Sequence, residues 1–486
     1  MGSAPLIVAS NRGPLSIEVQ ADGSDRVQRG AGGLVSGMQA ALRATPDAVW
    51  ICCAFNDRER SVSRRTGSGQ LSQLPLVADA LAGDFEVRML PIDAMTFRLS
   101  YHGMSNSTLW FIVHMLYEPT RTPVFDREWW RQWDAYRRYN AAFADAIVSE
   151  AAPGAAVMVQ DYHLLLVPRL LRRQRPDLRI GHFTHTPWIP PDYFRMLPDD
   201  VARELLDGML GADILGFHCD RWRDQFIACC ADVLGDRPTQ AHVFPLCTDG
   251  DELTERAHQR DVDAALGELN EIVGERHVIG RVDRTELSKN VWRGLLAFRE
   301  LLRTHPEWQD RVVHAISDYP SREELPAYRE YVAAVQRLAA EIDAEFATDD
   351  WTPVILQISN DYPGSLATLR RSDVVFINPV RDGMNLVVQE GIVLSERDPV
   401  VVLSRNAGAA DTLGDDALLI NPFAVSQTAE TLHRALIMPA DERATRVARL
   451  RKAAVRLPPS SWFQAQLDAV RAAPTTSRES AGDLGK

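Results

Sequence analysis

Arg381-Asp-Gly-Met-Asn-Leu-Val387, followed by Glu390, is the densest patch of chemistry in the sequence. It comes just after an apolar, β-branched run at 374–378 and leads into a stretch with helical periodicity. A strand, a short turn and a helix in that order aim backbone N–H groups over the sheet. Here those amides belong to Gly383, Met384, Asn385, Leu386 and Val387, and they make an anion site. Asp382 is placed to hold hydroxyl groups, and Glu390 follows about two helical turns on. A capped helix start with a solvated glutamate would use the same residues.

A second cluster, Arg284-Thr-Glu-Leu-Ser-Lys289, again follows an apolar run, at 277–282. Two cations on one loop suit a diphosphate, whose charge must be met from two sides. Of the 53 basic residues only three are lysines, at 289, 452 and 486. The ammonium at 289 therefore stands where this chain's default is a guanidinium. Arg322, after the run 312–317, repeats the arrangement, so three strand ends each present a cation.

The first half has its own candidates. Ser10-Asn-Arg12 follows the first apolar run, and Asp161-Tyr-His163 and His185 follow the runs at 156–160 and 179–184. Polar groups at neighbouring strand ends are how an active-site floor is built. The glycine-rich stretch from Gly30 to Gly37, with Gly33 at its centre, could cradle phosphates, but it is not the GxGxxG of a dinucleotide fold. His182 and His185 lie three apart, on opposite faces of a strand, so they do not suggest a metal. Asp261-Val-Asp263 sits in a helical pattern and reads as a solvated face. Trp129, Trp130, Trp133, Tyr136 and Tyr139 share a long helix and read as a core stripe. No GxSxG, HExxH or GxxxxGK[ST] motif occurs, which argues against serine-hydrolase, zincin and P-loop chemistry.

These residues need a frame to bring them together. Strand-like runs at 6–10, 48–53, 85–92, 156–160, 179–184 and 213–217 form one series. Runs at 241–246, 277–282, 312–317, 354–358, 374–378, 400–404 and 417–421 form another. Helical patterns at 33–43, 129–150, 291–303, 324–346 and 386–394 lie between them. Continuous apolar strands alternating with helices predict an α/β chain of parallel sheets covered on both faces. The stretch 235–240 reads as the linker between two doubly wound domains, whose ligands would meet in the cleft between them. The expected layout is an N-terminal domain over 1–236 and a C-terminal domain over 241–458. A helix at 459–472 would return to the first, with a disordered tail at 473–486.

Composition narrows the partners. With 66 acidic against 53 basic residues the formal charge is −13, which disfavours nucleic acid. Six cysteines without CxxC spacing read as reduced thiols of a cytoplasmic protein, and no apolar run is long enough to cross a membrane.

Taken together, these segments resemble the retaining trehalose-6-phosphate synthases, glycosyltransferases of the two-Rossmann GT-B type. The matching stretches are Ala9-Ser-Asn-Arg12, Ala31-Gly-Gly-Leu34, Ser105-Asn-Ser-Thr-Leu-Trp110 and Gln160-Asp-Tyr-His-Leu-Leu165. They continue with His185-Thr-Pro187, 284–289, Ser321-Arg322 and 381–387, in family order. The resemblance implies glucose transfer from UDP- or GDP-glucose to glucose 6-phosphate, with no cofactor and no metal. It implies that Arg284 and Lys289 hold the donor diphosphate. Asp382 and the backbone from Gly383 to Val387 would grip the donor sugar and phosphates, with Glu390 on the ribose and His185 by the donor sugar. Gly33 would let backbone approach the diphosphate. Arg12, Tyr101, Trp110 and Arg322 would bind the acceptor, with Asp161 in contact with it. A separate trehalose-phosphate phosphatase would complete the pathway, and self-association is compatible with the reading.

Two positions depart from the family pattern. Cys53 stands in Trp50-Ile-Cys-Cys53 where the family has a second tryptophan, and Pro245-Leu-Cys247 replaces a Pro-Ile-Gly turn. The lost aromatic keeps alternative acceptors in view, a glycerol phosphate or a phosphorylated cyclitol, as well as a non-catalytic, sugar-phosphate-binding regulator.

Overall fold

The computed structural model describes residues 2–20, 22–29, 35, 38–39, 42–43, 45–66, 71, 77 and 85–473. In chain order the strands among the described residues are β1 (Ala4–Ala9), β2 (Leu15–Val19), β3 (Asp25–Arg29), β4 (Val49–Cys53) and β5 (Glu86–Leu90). There follow β6 (Ala151–Gln160), β7 (Arg179–Phe183), β8 (Ile214–Phe217), β9 (Ala241–Val243) and β10 (His277–Arg284). The last are β11 (Val312–Tyr319), β12 (Val354–Ile358), β13 (Val374–Ile377), β14 (Val400–Ser404) and β15 (Leu418–Ile420).

Alternation along β1 shows why these runs make a sheet with two covered faces. Leu6 and Val8 enter one core while Ile7 and Ala9 enter the other. Seven strands pair in parallel in the order β5-β4-β1-β6-β7-β8-β9, and six in the order β12-β11-β10-β13-β14-β15. Both orders reverse direction beside the first strand of the unit, between β1 and β6 and between β10 and β13. Those are the switch points where doubly wound sheets bind ligands. Arg12 and Asp161 follow β1 and β6, Arg284 ends β10, and Asp382 lies shortly after β13.

Three features differ from the sequence expectation. The run at 241–246 does not open the second sheet. Ala241–Val243 pairs with β8 at the edge of the first, with Leu215 beside Ala241 and Phe217 beside Val243. Pro245 has no N–H for a ladder, so the strand stops before it. The stretch 235–240 therefore joins a helix to an edge strand, with Gly235 at φ +77° ending the helix Asp220–Leu234. The crossing to the second sheet comes later. There the Cys247 amide donates to the Leu457 carbonyl at 3.0 Å and the Thr248 amide to the Ala454 carbonyl at 3.2 Å. An antiparallel hairpin of β2 and β3 was also not anticipated, nor was a π-helix over Arg98–Leu109, which carries Tyr101 and His102.

The helix Pro459–Ala472 lies back on the first sheet. Trp462, Phe463, Leu467 and Val470 are buried in the core that holds Met158 and Phe183. On β7, Gly181 leaves the space that Val470 fills, since a Cβ there would lie 2.6 Å from Val470 Cγ2. The tryptophan helix runs Arg127–Glu150, with Trp129, Trp133, Tyr136 and Tyr139 buried and Trp130 facing outward. No helix among the described residues is long and apolar enough to cross a membrane. All six cysteines are buried and unbridged.

Candidate active site

Asp382 belongs to a loop held from both units. Its amide donates to the Asn406 carbonyl at 3.2 Å, and its carbonyl accepts from the Gly408 amide at 3.1 Å. From the first unit, Trp222 Nε1 donates to the Gly383 carbonyl at 2.8 Å. The Arg381 guanidinium lies 4.5 Å from the centre of the Trp222 ring and donates to the Trp188 carbonyl. Gly383 is required by contact. A Cβ there would fall 1.8 Å from the His185 carbonyl oxygen. Asn385, at φ +72°, caps the helix Leu386–Leu394 by accepting from the Val388 amide at 3.1 Å. That leaves the amides of Leu386 and Val387 among the unpaired donors of the first turn. The side chains of Met384, Leu386 and Val387 pack into the adjoining cores.

Lys289 Nζ donates to Asp382 Oδ2 at 2.6 Å and lies 3.5 Å from Asp283 Oδ1. Burial works against the ammonium, but the Asp382 and Asp283 carboxylates outweigh it and raise the pKa above the usual lysine value. Burial likewise acts to raise Asp382, and Lys289 more than offsets it, so that carboxyl stays charged. Glu390, part-buried on the same helix, is pushed up to about 7 by burial, with Lys289 partly opposing. Arg284, Lys289, Asp382 and Glu390 thus share one electrostatic neighbourhood.

The second cluster is organised by a residue to which the sequence reading gave no role. Glu286 is fully buried, and its Oε1 lies 2.7 Å from both an Arg284 and an Arg322 guanidinium nitrogen. Ser321 Oγ donates to the same oxygen at 2.9 Å. Burial would raise the Glu286 carboxyl, but the two arginines and Lys289 hold it below its ordinary value. Arg322, at φ +47°, stacks on Trp110 with its guanidinium carbon 3.9 Å from the ring centre. His114 packs beneath that ring, 3.9 Å between centroids, and burial drops its pKa to about 3.

Arg12, Tyr101, Arg284 and Arg322 line one cavity of about 510 Å³ between the two units. Phe55, Phe97 and His102 complete the wall from the first unit, and Tyr319, Ser321 and Glu324 the wall from the second. Arg12 lies 4.3 Å from the Phe55 ring centre and has no carboxylate partner among the described residues. Cys53 is 1% exposed and does not line this cavity. Phe55, Phe97 and Tyr101, in contact at 5.1 Å, provide its aromatic surface instead.

Asp161 and His185 form the floor. Asp161 is held at φ +70°, a strained backbone for a non-glycine residue, and its Oδ1 accepts from the His185 amide at 3.1 Å. Its carboxyl is thus turned to backbone rather than into the cavity, and burial pushes it up to about 6. His185 Nε2 lies 3.0 Å from Gln160 Oε1, and burial keeps the ring neutral. Gly33 lies outside the described residues.

Asp261 pairs with Arg256 at 2.7 Å and Asp263 with Arg370 at 2.8 Å, so both carboxylates are taken up by arginines. A group of His305, Glu307 and His433 could offer metal ligands elsewhere. Its imidazoles stack in parallel at 3.8 Å, so their in-plane lone pairs do not converge, and His433 Nδ1 already accepts from Trp308 Nε1.

Two parallel doubly wound sheets, with cations and a helix N-terminus facing across a cleft, define a GT-B glycosyltransferase fold. The chain belongs to glycosyltransferase family 20, whose family profile matches residues 4–472. It is 33% identical over 468 residues to a bifunctional trehalose-6-phosphate synthase/phosphatase of Thermoproteus tenax. That match covers 91% of this chain, which spans only 60% of that relative's length. It is 32% identical to a trehalose-6-phosphate synthase of a Mycobacterium species, covering 96% of each. The crystal structure of a UDP-forming alpha,alpha-trehalose-phosphate synthase from Burkholderia vietnamiensis superposes with a TM-score of 0.80 at 28% identity. That likeness covers 96% of this chain and 100% of the other.

Proposed function

We propose that this protein transfers glucose from UDP-glucose to glucose 6-phosphate, with retention of anomeric configuration, to form trehalose 6-phosphate. The observation that carries the reading is a cavity lined by three guanidinium groups, Arg12, Arg284 and Arg322. It adjoins the Lys289–Asp382 pair and the helix start at Asn385. One anion site suits the acceptor's phosphate and the other the donor's diphosphate. The family's UDP-forming relatives favour uridine over guanosine.

In this reading residues 1–243 with the returning C-terminal helix carry the acceptor, and the second sheet carries the nucleotide. Arg12, Tyr101, Trp110 and Arg322 bind glucose 6-phosphate. Lys289, Arg284 and the amides from Gly383 to Val387 meet the charge that develops on the departing diphosphate. Asp382 holds the donor sugar beside His185, whose neutral ring is fixed by Gln160, and Glu390 takes the ribose hydroxyls. Attack comes from the face the diphosphate leaves, and the leaving phosphate oxygen takes the acceptor hydroxyl's proton. No second carboxylate at glycosidase spacing is then needed. The arginines and helix amides supply the charge that a metal would otherwise bring. We place the enzyme in the cytoplasm, where its thiols stay reduced, with a phosphatase acting on its product.

The test is nucleoside diphosphate release. UDP-, GDP- and ADP-glucose are each paired with glucose 6-phosphate, glycerol 3-phosphate or no acceptor. Release that needs both UDP-glucose and glucose 6-phosphate, with a non-reducing disaccharide phosphate as product, is expected. Release with glycerol 3-phosphate alone, or with no pair, overturns the reading.

A further inference from the structure

His102 and Glu324 stand 222 positions apart in the sequence, yet His102 Nδ1 lies 2.8 Å from Glu324 Oε1. One comes from the π-helix Arg98–Leu109 of the first unit, the other from the turn after β11 in the second, and both line the arginine cavity. Their neighbours give the contact its meaning. His102 is next to Tyr101, which forms the cavity's aromatic wall, and Glu324 is two residues from Arg322, which supplies a cation opposite. The ring of His102 is itself held edge-on by Phe97 at 5.9 Å and Tyr101 at 5.0 Å. Its donor is therefore aimed, not free to roam.

The charges of the cavity explain why such a bond is useful. Glu286 is buried, and its Oε1 is engaged by Arg284, Arg322 and Ser321. Glu324, 44% exposed at the side chain, is the carboxylate among the described residues that lines the cavity, and an incoming phosphate would meet it directly. His102 is the group that engages it.

We propose that His102 and Glu324 form a positioning latch across the cleft. The latch sets the spacing between Tyr101 and Arg322 and holds the Glu324 carboxylate away from a phosphate-bearing acceptor. The inference rests on the reading of this cavity as the acceptor site and adds two residues to it.

The test is calorimetric titration of the full chain with glucose 6-phosphate, inorganic phosphate and, as a control, UDP. His102→Ala leaves the carboxylate unengaged beside the phosphate and weakens both phosphate ligands about fivefold, the scale of an exposed ion pair. Glu324→Gln keeps an oxygen to accept from Nδ1–H and stays within about twofold of the parent. Glu324→Ala, and the double variant with His102→Ala, bind better than His102→Ala alone, because the repelling charge is gone. UDP affinity stays within about twofold throughout. A merely structural role would not be rescued by a second deletion. The latch is overturned if His102→Ala binds phosphate as the parent does, if UDP weakens equally, or if the double variant is the weakest. If the parent binds inorganic phosphate but not glucose 6-phosphate, the acceptor reading falls and the phosphate titrations still decide the latch. If it binds neither, both fall.

Discussion

Lys289 Nζ donates to Asp382 Oδ2 at 2.6 Å while Asp283 Oδ1 lies 3.5 Å away, so an ammonium 12% exposed is held between two carboxylates. This arrangement keeps the cation charged and fixed before any ligand arrives, which is what electrostatic preorganisation requires. Lys289→Ala removes the cation and leaves two carboxylates facing a diphosphate. Turnover measured as UDP release should fall on the order of 10³-fold in kcat/KM. Lys289→Arg should not restore it, because a planar fork does not fit a slot shaped for a point charge. Near-normal turnover in Lys289→Ala would remove this pair from the mechanism.

Glu286 offers a different test. Its carboxylate holds two guanidinium groups, each at 2.7 Å, in a fully buried position. Glu286→Gln leaves Arg284 and Arg322 facing each other without a counter-charge. Breaking a buried pair in this way costs about 3 kcal/mol. Thermal unfolding should register that loss, and the KM for glucose 6-phosphate should rise about tenfold more than that for the donor. Equal effects on both substrates would mean that Glu286 supports the fold and not the cavity.

Much of this architecture was legible beforehand, for physical reasons. Strands β12 and β14 and the helix Leu386–Leu394 fall where apolar runs and helical spacing put them. Those signals are local, and burial on both faces makes them strong. The motif residues Arg284, Lys289, Asp382 and Arg322 converge because each lies at, or within a few residues beyond, the carboxyl end of a strand. What stayed hidden was set by pairing across the chain. Ala241–Val243 looks like any short strand, and only its contact with Phe217 assigns it to the first sheet. Glu286 lay within a recognised motif, and its position between two cations was a signal that went unused. His102 and Glu324 carried none, since nothing local marks two residues of separate units as partners. The Cys53 substitution pointed to a missing aromatic surface, which Phe55 and its neighbours provide from a different position.

Two glycine substitutions separate packing from propensity. At Gly383 an added Cβ would lie 1.8 Å from the His185 carbonyl oxygen, a backbone atom that no rotamer change can move aside. Gly383→Ala should lower the melting temperature and reduce turnover at least 100-fold, because the Asp382 loop shifts. At Gly267, exposed in the helix Arg260–Val273, a Cβ would meet nothing within 4 Å. Gly267→Ala should raise stability by about 1 kcal/mol and leave turnover unchanged. Calorimetric melting and UDP release on the two variants decide the matter. A tolerated Gly383→Ala would show that the loop relaxes more readily than this contact allows.

Glu390 gives the site a pH dependence whose two signs oppose. Burial lifts its pKa from 4.5 to about 7, so the folded chain holds this proton more tightly than the unfolded one. Its contribution to stability is most favourable below 4.5, declines as pH rises toward 7, and is lowest above that. Donor binding runs the other way. In the proposed donor site only a Glu390 carboxylate accepts from both ribose hydroxyls, so the donor KM should fall as pH rises through about 7. Asp161, lifted to about 6, titrates nearby, so the difference between the parent and Glu390→Gln isolates the glutamate. Relative to the parent, Glu390→Gln should gain melting temperature at pH 8 and not at pH 5. It should also lose the fall in donor KM with pH. Parallel pH profiles for the two proteins would place the titration on another group and take Glu390 off the ribose.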